Sequence, residues 1–222
     1  NDFNPETIDA AHLAVATKTY FEAMPLRRDP TSPDRLWKSV RWGETAEFFV
    51  LDSRSERKPS TRFNGQEQIY LSRAQLDWLK GALKASTAVF KVILNSVPIT
   101  DFGFSAFTGD SWLSYRDQRT ELLGHIDDEN IQGVLWISGD HHFASVGWVS
   151  ASGRGAGALE VLAGPGANSA NPAWRLLQPP RWPYATGTNN YVTVQLEPVS
   201  REVRVAFHDG AGMELFAQTF TR

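Results

Sequence analysis

The segment WISGDHHFASVGW, residues 136–148, places Asp140, His141 and His142 directly after an apolar run, Val134-Leu135-Trp136-Ile137, that stops at Gly139. Two other apolar runs end in the same kind of residue, one at Asp52 and one at Asn95. A carboxylate, an amide oxygen and an imidazole make a mixed oxygen and nitrogen donor set. Such a set suits iron, zinc, manganese or calcium, and not a metal that prefers thiolate. Ligands of open α/β sheets sit beyond the carboxyl ends of the strands, so these residues converge if the three runs are neighbours. In an extended segment side chains alternate between faces. Asp140 and His142 then point one way and His141 the other, which selects His142 over His141 as a ligand. Each residue also has an ordinary reading. Paired histidines occur in surface turns, Asp52 fits a turn or an arginine partner, and Asn95 fits a satisfied loop amide. His12, His125 and His208 read as structural or solvent-facing.

The elements that must position these residues follow from periodicity. Leu13, Ala16, Thr17, Tyr20, Phe21 and Met24 have helical spacing, with Asp9 as N-cap and Pro25 as the stop. Residues 36–42 and 46–51 read as a hairpin around Gly43-Glu44-Thr45, followed by a polar, arginine-rich loop over 52–70. Ser72 and Gln75 form a capping-box start for a helix carrying Leu76, Leu79 and Leu83. A strand is expected at 88–94, a helix from about Ser111 to Ile126, and a strand at 133–138. Further strands are expected near 143–150, 158–163, 190–197, 202–208 and 213–220, the last two joined by Asp209-Gly210-Ala211-Gly212. The first half is therefore α/β and the second nearly all β. With no linker between them, a continuous mixed-sheet sandwich is expected rather than two domains.

Composition narrows the function. The formal net charge is −3 and no basic run is present, so there is no nucleic-acid-binding signature. There is no cysteine, which removes thiol nucleophiles and cysteine-based zinc sites within this chain. No stretch has the apolar length of a membrane span. Eight tryptophans and thirteen phenylalanines can serve a core or a lined cleft.

The stretches VLDSRSER, FKVILNSVPI, WLSYRDQRTELLGHI and GVLWISGDHHFASVGWV together resemble the alkaline phosphatase D family, the PhoD-like metallophosphatases. In that family an LDxRxxR stretch, a helix–strand unit, an (N/Q)xxP turn and a GDxH motif occur in this order. The resemblance covers roughly residues 1–150 and thins beyond to the AGPGANSANP loop. It implies half of a metallophosphatase-type αββα sandwich: mixed sheets with flanking helices and a β-rich C-terminal part. It implies a phosphate-ester substrate and a dinuclear metal centre, iron with calcium, with zinc or manganese as alternatives. Carried over, it makes Asn95, Asp140 and His142 metal ligands. His141 falls at the variable position, able to protonate a leaving alkoxide, and Arg54 and Arg57 fall near the site, where their planar forks suit phosphate; a salt bridge to Asp52 or Glu56 is the alternative. Trp182 and Tyr184, in a proline-rich loop, could line a substrate cleft or simply pack.

The resemblance also implies that Asn1-Asp2-Phe3 falls just past a WDDHE-like family motif. Residues 1–222 are thus expected to be the C-terminal half of a catalytic domain, its upstream half absent, cleaved or on a separate chain. Export from the cytoplasm is the family's usual location. A rival reading makes the chain a non-catalytic, β-rich module that uses the Trp, Tyr and Pro residues of region 174–191 on glycans or a cell-wall polymer.

Overall fold

The computed structural model describes residues 3–24, 26–62, 67–103 and 111–222. Helix α1 spans Ala10–Ala23, and Asp9 caps it by accepting from the Ala11 and His12 amides. None of its residues is buried, so α1 lies on the surface. Its expected stop, Pro25, is outside the described residues, as are Asn1 and Asp2.

The centre of the molecule is a seven-stranded mixed sheet. Its strands are β1 (Lys38–Trp42), β2 (Ala46–Val50), β3 (Phe90–Leu94), β4 (Val134–Ser138), β5 (Ala144–Trp148), β6 (Leu159–Leu162) and β7 (Tyr184–Thr186), in the order β1-β2-β3-β4-β6-β5-β7. The four neighbours β2, β3, β4 and β6 run parallel, while β1, β5 and β7 are antiparallel to their partners. A parallel strand buried on both faces reads as a near-continuous apolar run, and β3, FKVIL, is such a strand apart from Lys91, whose ammonium donates to Ala88 O at 2.7 Å. A second sheet is the meander β8 (Asn190–Glu197), β9 (Glu202–Asp209) and β10 (Glu214–Thr221), with β9 central.

Helices α2 (Arg73–Ala85) and α3 (Arg116–Asp128) cover one face of the large sheet. Leu76, Leu79 and Leu83 of α2 pack with Leu122, Leu123 and Ile126 of α3 on Phe49, Ile93 and Trp136. The opposite face carries Phe90, Val92, Leu135, Leu159 and Val161, which pack on Val203, Val205, Phe207 and Phe220 of the small sheet. The layers are therefore helix, sheet, sheet, and the expected mixed α/β sandwich is the fold observed.

Two local expectations change. The helix expected from Ser111 breaks into a 3-10 turn at Trp112–Ser114 and α3, with Tyr115 between them. Trp112, Leu113, Ser114 and Tyr115 are all buried, and a helix with one apolar face cannot bury four consecutive side chains. The capping box at α2 is only half made. Ser72 Oγ accepts from the Gln75 amide, but the Gln75 side chain turns to the Asp52 backbone instead of back to Ser72. Strand β7 and a 3-10 turn at Pro172–Leu176 were hidden in the proline-rich stretch.

Candidate metal centre at the strand tips

Because β2, β3 and β4 are parallel neighbours, their carboxyl ends emerge side by side. The Leu51 amide donates to Leu94 O at 3.0 Å and the Asn95 amide to Ile137 O at 3.0 Å. Asp52, Asn95 and Asp140 thus leave the sheet from adjacent strands, as the convergence argument requires.

The residues have different duties there. Asp52 is buried and holds a turn: Oδ1 accepts from the Arg54 and Ser55 amides at 3.0 and 2.9 Å, and Oδ2 accepts from the Ser55 hydroxyl. Its backbone is clasped by Gln75, whose side chain donates to Asp52 O at 3.0 Å and accepts from Asp52 N at 2.9 Å. The turn projects Arg54 toward Asp140, with Nη2 to Oδ1 at 3.5 Å and both side chains about 30 % exposed. Arg57 goes elsewhere. It is buried and donates to Phe3 O at 2.6 Å, fastening the N-terminal segment. Glu56 takes neutral donors, the Trp37 indole at 2.8 Å and the Gln75 amide at 2.6 Å.

Asn95 is 7 % exposed. Its Nδ2 donates to Val97 O at 2.6 Å, which fixes the orientation of the amide. The other end, Oδ1, is fully buried and has no hydrogen-bond partner among the described residues. A buried polar atom without a partner is rare and calls for an explanation.

After Gly139 the chain is not extended, and this overturns the alternation argument. Asp140 and His142 both have positive φ, 76° and 58°. Non-glycine residues seldom adopt this region, though Asp and His do so more readily than most, and residues held there collect at functional sites. His142 Nε2 lies 3.3 Å from Asn168 Nδ2, and its carbonyl accepts from the Asn171 amide at 2.9 Å. The AGPGANSANP loop therefore docks on His142. The His141 ring sits 5.8 Å from Phe102 and 6.0 Å from Phe143. Burial among these rings holds its pKa below the ordinary histidine value, against the opposing pull of Asp140, with His142 lowering it further.

Trp182 and Tyr184 serve packing. Trp182 stacks on Phe102 at 6.0 Å and takes Arg181 on its face at 4.3 Å. Tyr184 stacks on Phe216 at 4.6 Å, between the two sheets. His125 lies 3.0 Å from Lys80 O, and His208 stacks on Tyr191. Among the described residues there is no group of three or more His, Asp or Glu able to hold a metal ion. Sequence reading missed Glu160, Phe102 and Asn168. For Glu160 the signal was present, a lone carboxylate inside the apolar run ALEVL.

The family model for PhoD-like phosphatases matches residues 3–198. The chain belongs to the PhoD-like phosphatase family. Alkaline phosphatase D of Bacillus subtilis (strain 168) is 32 % identical over 147 residues, which are 58 % of this chain and 25 % of that protein. The solved structure of PhoD superposes with a TM-score of 0.71 at 24 % identity, covering 94 % of this chain and 45 % of that one. The purple acid phosphatase PPD1 from yellow lupin seeds shares the fold at a TM-score of 0.60 and 12 % identity, over 94 % of this chain and 35 % of its own. This PhoD-like chain thus spans less than half the length of the relatives it matches.

Proposed function

We propose that this chain is the C-terminal half of a PhoD-like phosphoesterase catalytic domain, which hydrolyses phosphate esters at a dinuclear metal site completed by an upstream half. The observation that carries the reading is Asn95 Oδ1, a hard oxygen donor at the tip of β3, buried without a partner among the described residues. Asp140 and His142 at the tip of β4 would add a carboxylate and an imidazole, a donor set that suits iron with calcium, or zinc or manganese. His142, whose Nε2 now meets Asn168, would be the imidazole donor. Bound metals would supply a nucleophilic hydroxide at neutral pH and neutralise charge on phosphate oxygens.

The remaining steps belong to side chains of this chain. Arg54, aimed by the Asp52 turn, would hold a phosphate oxygen with the guanidinium edge that now faces Asp140. His141, shielded by Phe102 and Phe143, is neutral at neutral pH, so it would offer a leaving group a proton only on the acid side. Arg57, buried and bonded to Phe3 O, would act by holding the N-terminal segment in place rather than by meeting substrate.

The uncovered part of the large sheet supports a missing half. Trp42 and Val40 on β1 are 72 % and 49 % exposed, and a groove of about 790 Å³ runs past Val40, Phe48, Val50 and Leu94. A partner that covers this face would be the natural source of the missing metal donors. Export remains part of the proposal; no helix among the described residues is long and apolar enough to cross a membrane. The family match favours the phosphoesterase over the glycan-module reading, and of the aromatics in region 174–191 both Trp182 and Tyr184 are engaged in packing.

The test is metal content and turnover of a chromogenic phosphate monoester and diester, measured with and without the upstream half. Metal binding and hydrolysis are expected only with that half present. Full turnover and a normal metal complement in residues 1–222 alone would refute the shared site.

A further inference from the structure

Glu160 lies in the middle of β6, 3 % exposed, opposite Trp136 of β4 and on the helix side of the sheet. Its Oε1 accepts from the Ile99 amide at 3.1 Å and from the Ser138 hydroxyl at 2.9 Å, and its Oε2 accepts from the Thr100 amide at 2.8 Å. Ile99 and Thr100 belong to the loop that starts at Asn95. Ser138 is the last residue of β4 and precedes Asp140 by two positions. The carboxylate therefore bridges the two tips that carry the proposed ligands.

The same loop is gripped from a second side. Arg119 Nε donates to Ile99 O at 2.8 Å, so the amide and the carbonyl of Ile99 are both held. Asn95 is tied to this loop through Val97 O, and Phe102 at its far end packs on the His141 ring. A buried carboxylate is a costly way to gain stability, because a well-packed apolar residue in the same place is often neutral or better. Burial pushes the pKa of Glu160 up, while hydrogen bonds from Thr100, Ser138 and Ile99 pull it down. What an apolar residue could not do is fix three donors on two different segments.

We propose that Glu160 is a positioning residue: through Ile99, Thr100 and Ser138 it locks the loop of Asn95 to the strand of Asp140 and His142, and so sets the spacing of the metal-facing groups. This rests on the reading of the strand tips given under Proposed function.

The experiment compares four variants of the full-length protein by titration with Zn²⁺ and with Mn²⁺, alongside thermal melts. Glu160→Gln keeps the volume but sets an NH₂ group against one of the donors. It is expected to weaken metal affinity about 10-fold, the low end of what loss of an outer-shell partner costs, because Glu160 reaches the ligands only through the segments that carry them. Ser138→Ala removes one of the three bonds and is expected to weaken affinity less. Leu83→Ala, in the α2 core, is expected to lower Tm and leave affinity unchanged. Unchanged affinity in a folded Glu160→Gln protein overturns the proposal, as does an affinity that simply follows Tm across all variants. If Glu160→Gln does not fold, Ser138→Ala decides: a measurable loss of affinity supports the proposal and none overturns it. Asn95→Ala separates the two readings. If it leaves affinity intact, the metal reading falls and the role of Glu160 with it. If it lowers affinity while Glu160→Gln does not, only the role of Glu160 falls.

Discussion

The two faces of the seven-stranded sheet are finished to different degrees. On the helix face, Leu76, Leu79, Leu83, Phe49, Ile93 and Trp136 are completely buried. Its buried amides are bonded: Gln118 accepts from the Tyr70 and Leu71 amides and donates to Leu71 O, and Gln75 clasps Asp52, while the Trp112 and Trp136 indole N–H groups have no partner among the described residues. On the other face the small sheet covers β4, β5 and β6, but Phe48, Val50 and Leu94 are only half-buried and Trp42 is exposed. At the tips, Asn95 Oδ1 keeps unused capacity. The contrast separates a closed side that holds the fold together from an open side and strand tips that, on the proposed reading, would receive further groups.

The sharpest way to break this comparison is at the tips. In the full-length protein, His142→Ala is expected to strip or weaken the metal and cut kcat by at least about 100-fold, the scale of losing metal-supplied charge stabilisation. His141→Ala should keep its metal and lose activity only in part. Metal loss in the His141 variant with His142→Ala unaffected would reverse the assignment.

Packing gives the next test. Leu79→Ala on the sealed face should cost about 2–5 kcal/mol in any form of the protein that contains this chain. Phe48→Ala on the open face should cost less than about 1.5 kcal/mol in the isolated chain and about 3 kcal/mol or more once the upstream half is present. Denaturant melts of both variants, with and without that half, decide it. Equal costs for Phe48→Ala in the two settings would mean that nothing covers this face.

Arg54→Ala should lower kcat/KM by about 10- to 100-fold, the worth of a hydrogen bond to a charged group. Its Tm should hardly move, since a half-exposed ion pair such as Arg54–Asp140 adds little stability. A large drop in Tm with unaltered kinetics would move Arg54 to the sealed, structural set.

The smallest effect concerns His141. Its folded pKa is depressed by burial, so the unfolded chain binds the extra proton first as pH falls. Its contribution to stability is therefore complete above the ordinary histidine pKa and declines as pH drops through it toward the folded value. His141→Phe should flatten the fall in Tm on the acid side while leaving the neutral value similar. An unchanged slope would show that the ring titrates as if exposed.

Much of this was legible in the sequence for simple reasons. Strands at Phe90–Leu94 and Val134–Ser138 announce themselves as apolar runs, and Asp9 and Ser72 cap their helices with local hydrogen bonds. Convergence of Asp52, Asn95 and Asp140 depends on strand order, which periodicity does not encode, and the family resemblance supplied it. Facing beyond Gly139 was misread because two left-handed residues replace the assumed extension. Gln75 was misread because a distant backbone segment outbid the local cap. Tyr184 was hidden because a three-residue strand among prolines leaves almost no pattern.

Strand β8 has a consequence for handling the protein. It is an edge of the small sheet, eight residues long, and Val192, Val194 and Leu196 on its inner side are only half-buried. An uncapped strand of this length is a template for another copy of itself. Preparations of residues 1–222 alone should self-associate through β8 as concentration rises. Thr193→Lys, on the exposed side of β8, would blunt such pairing and should keep them monomeric in size-exclusion runs.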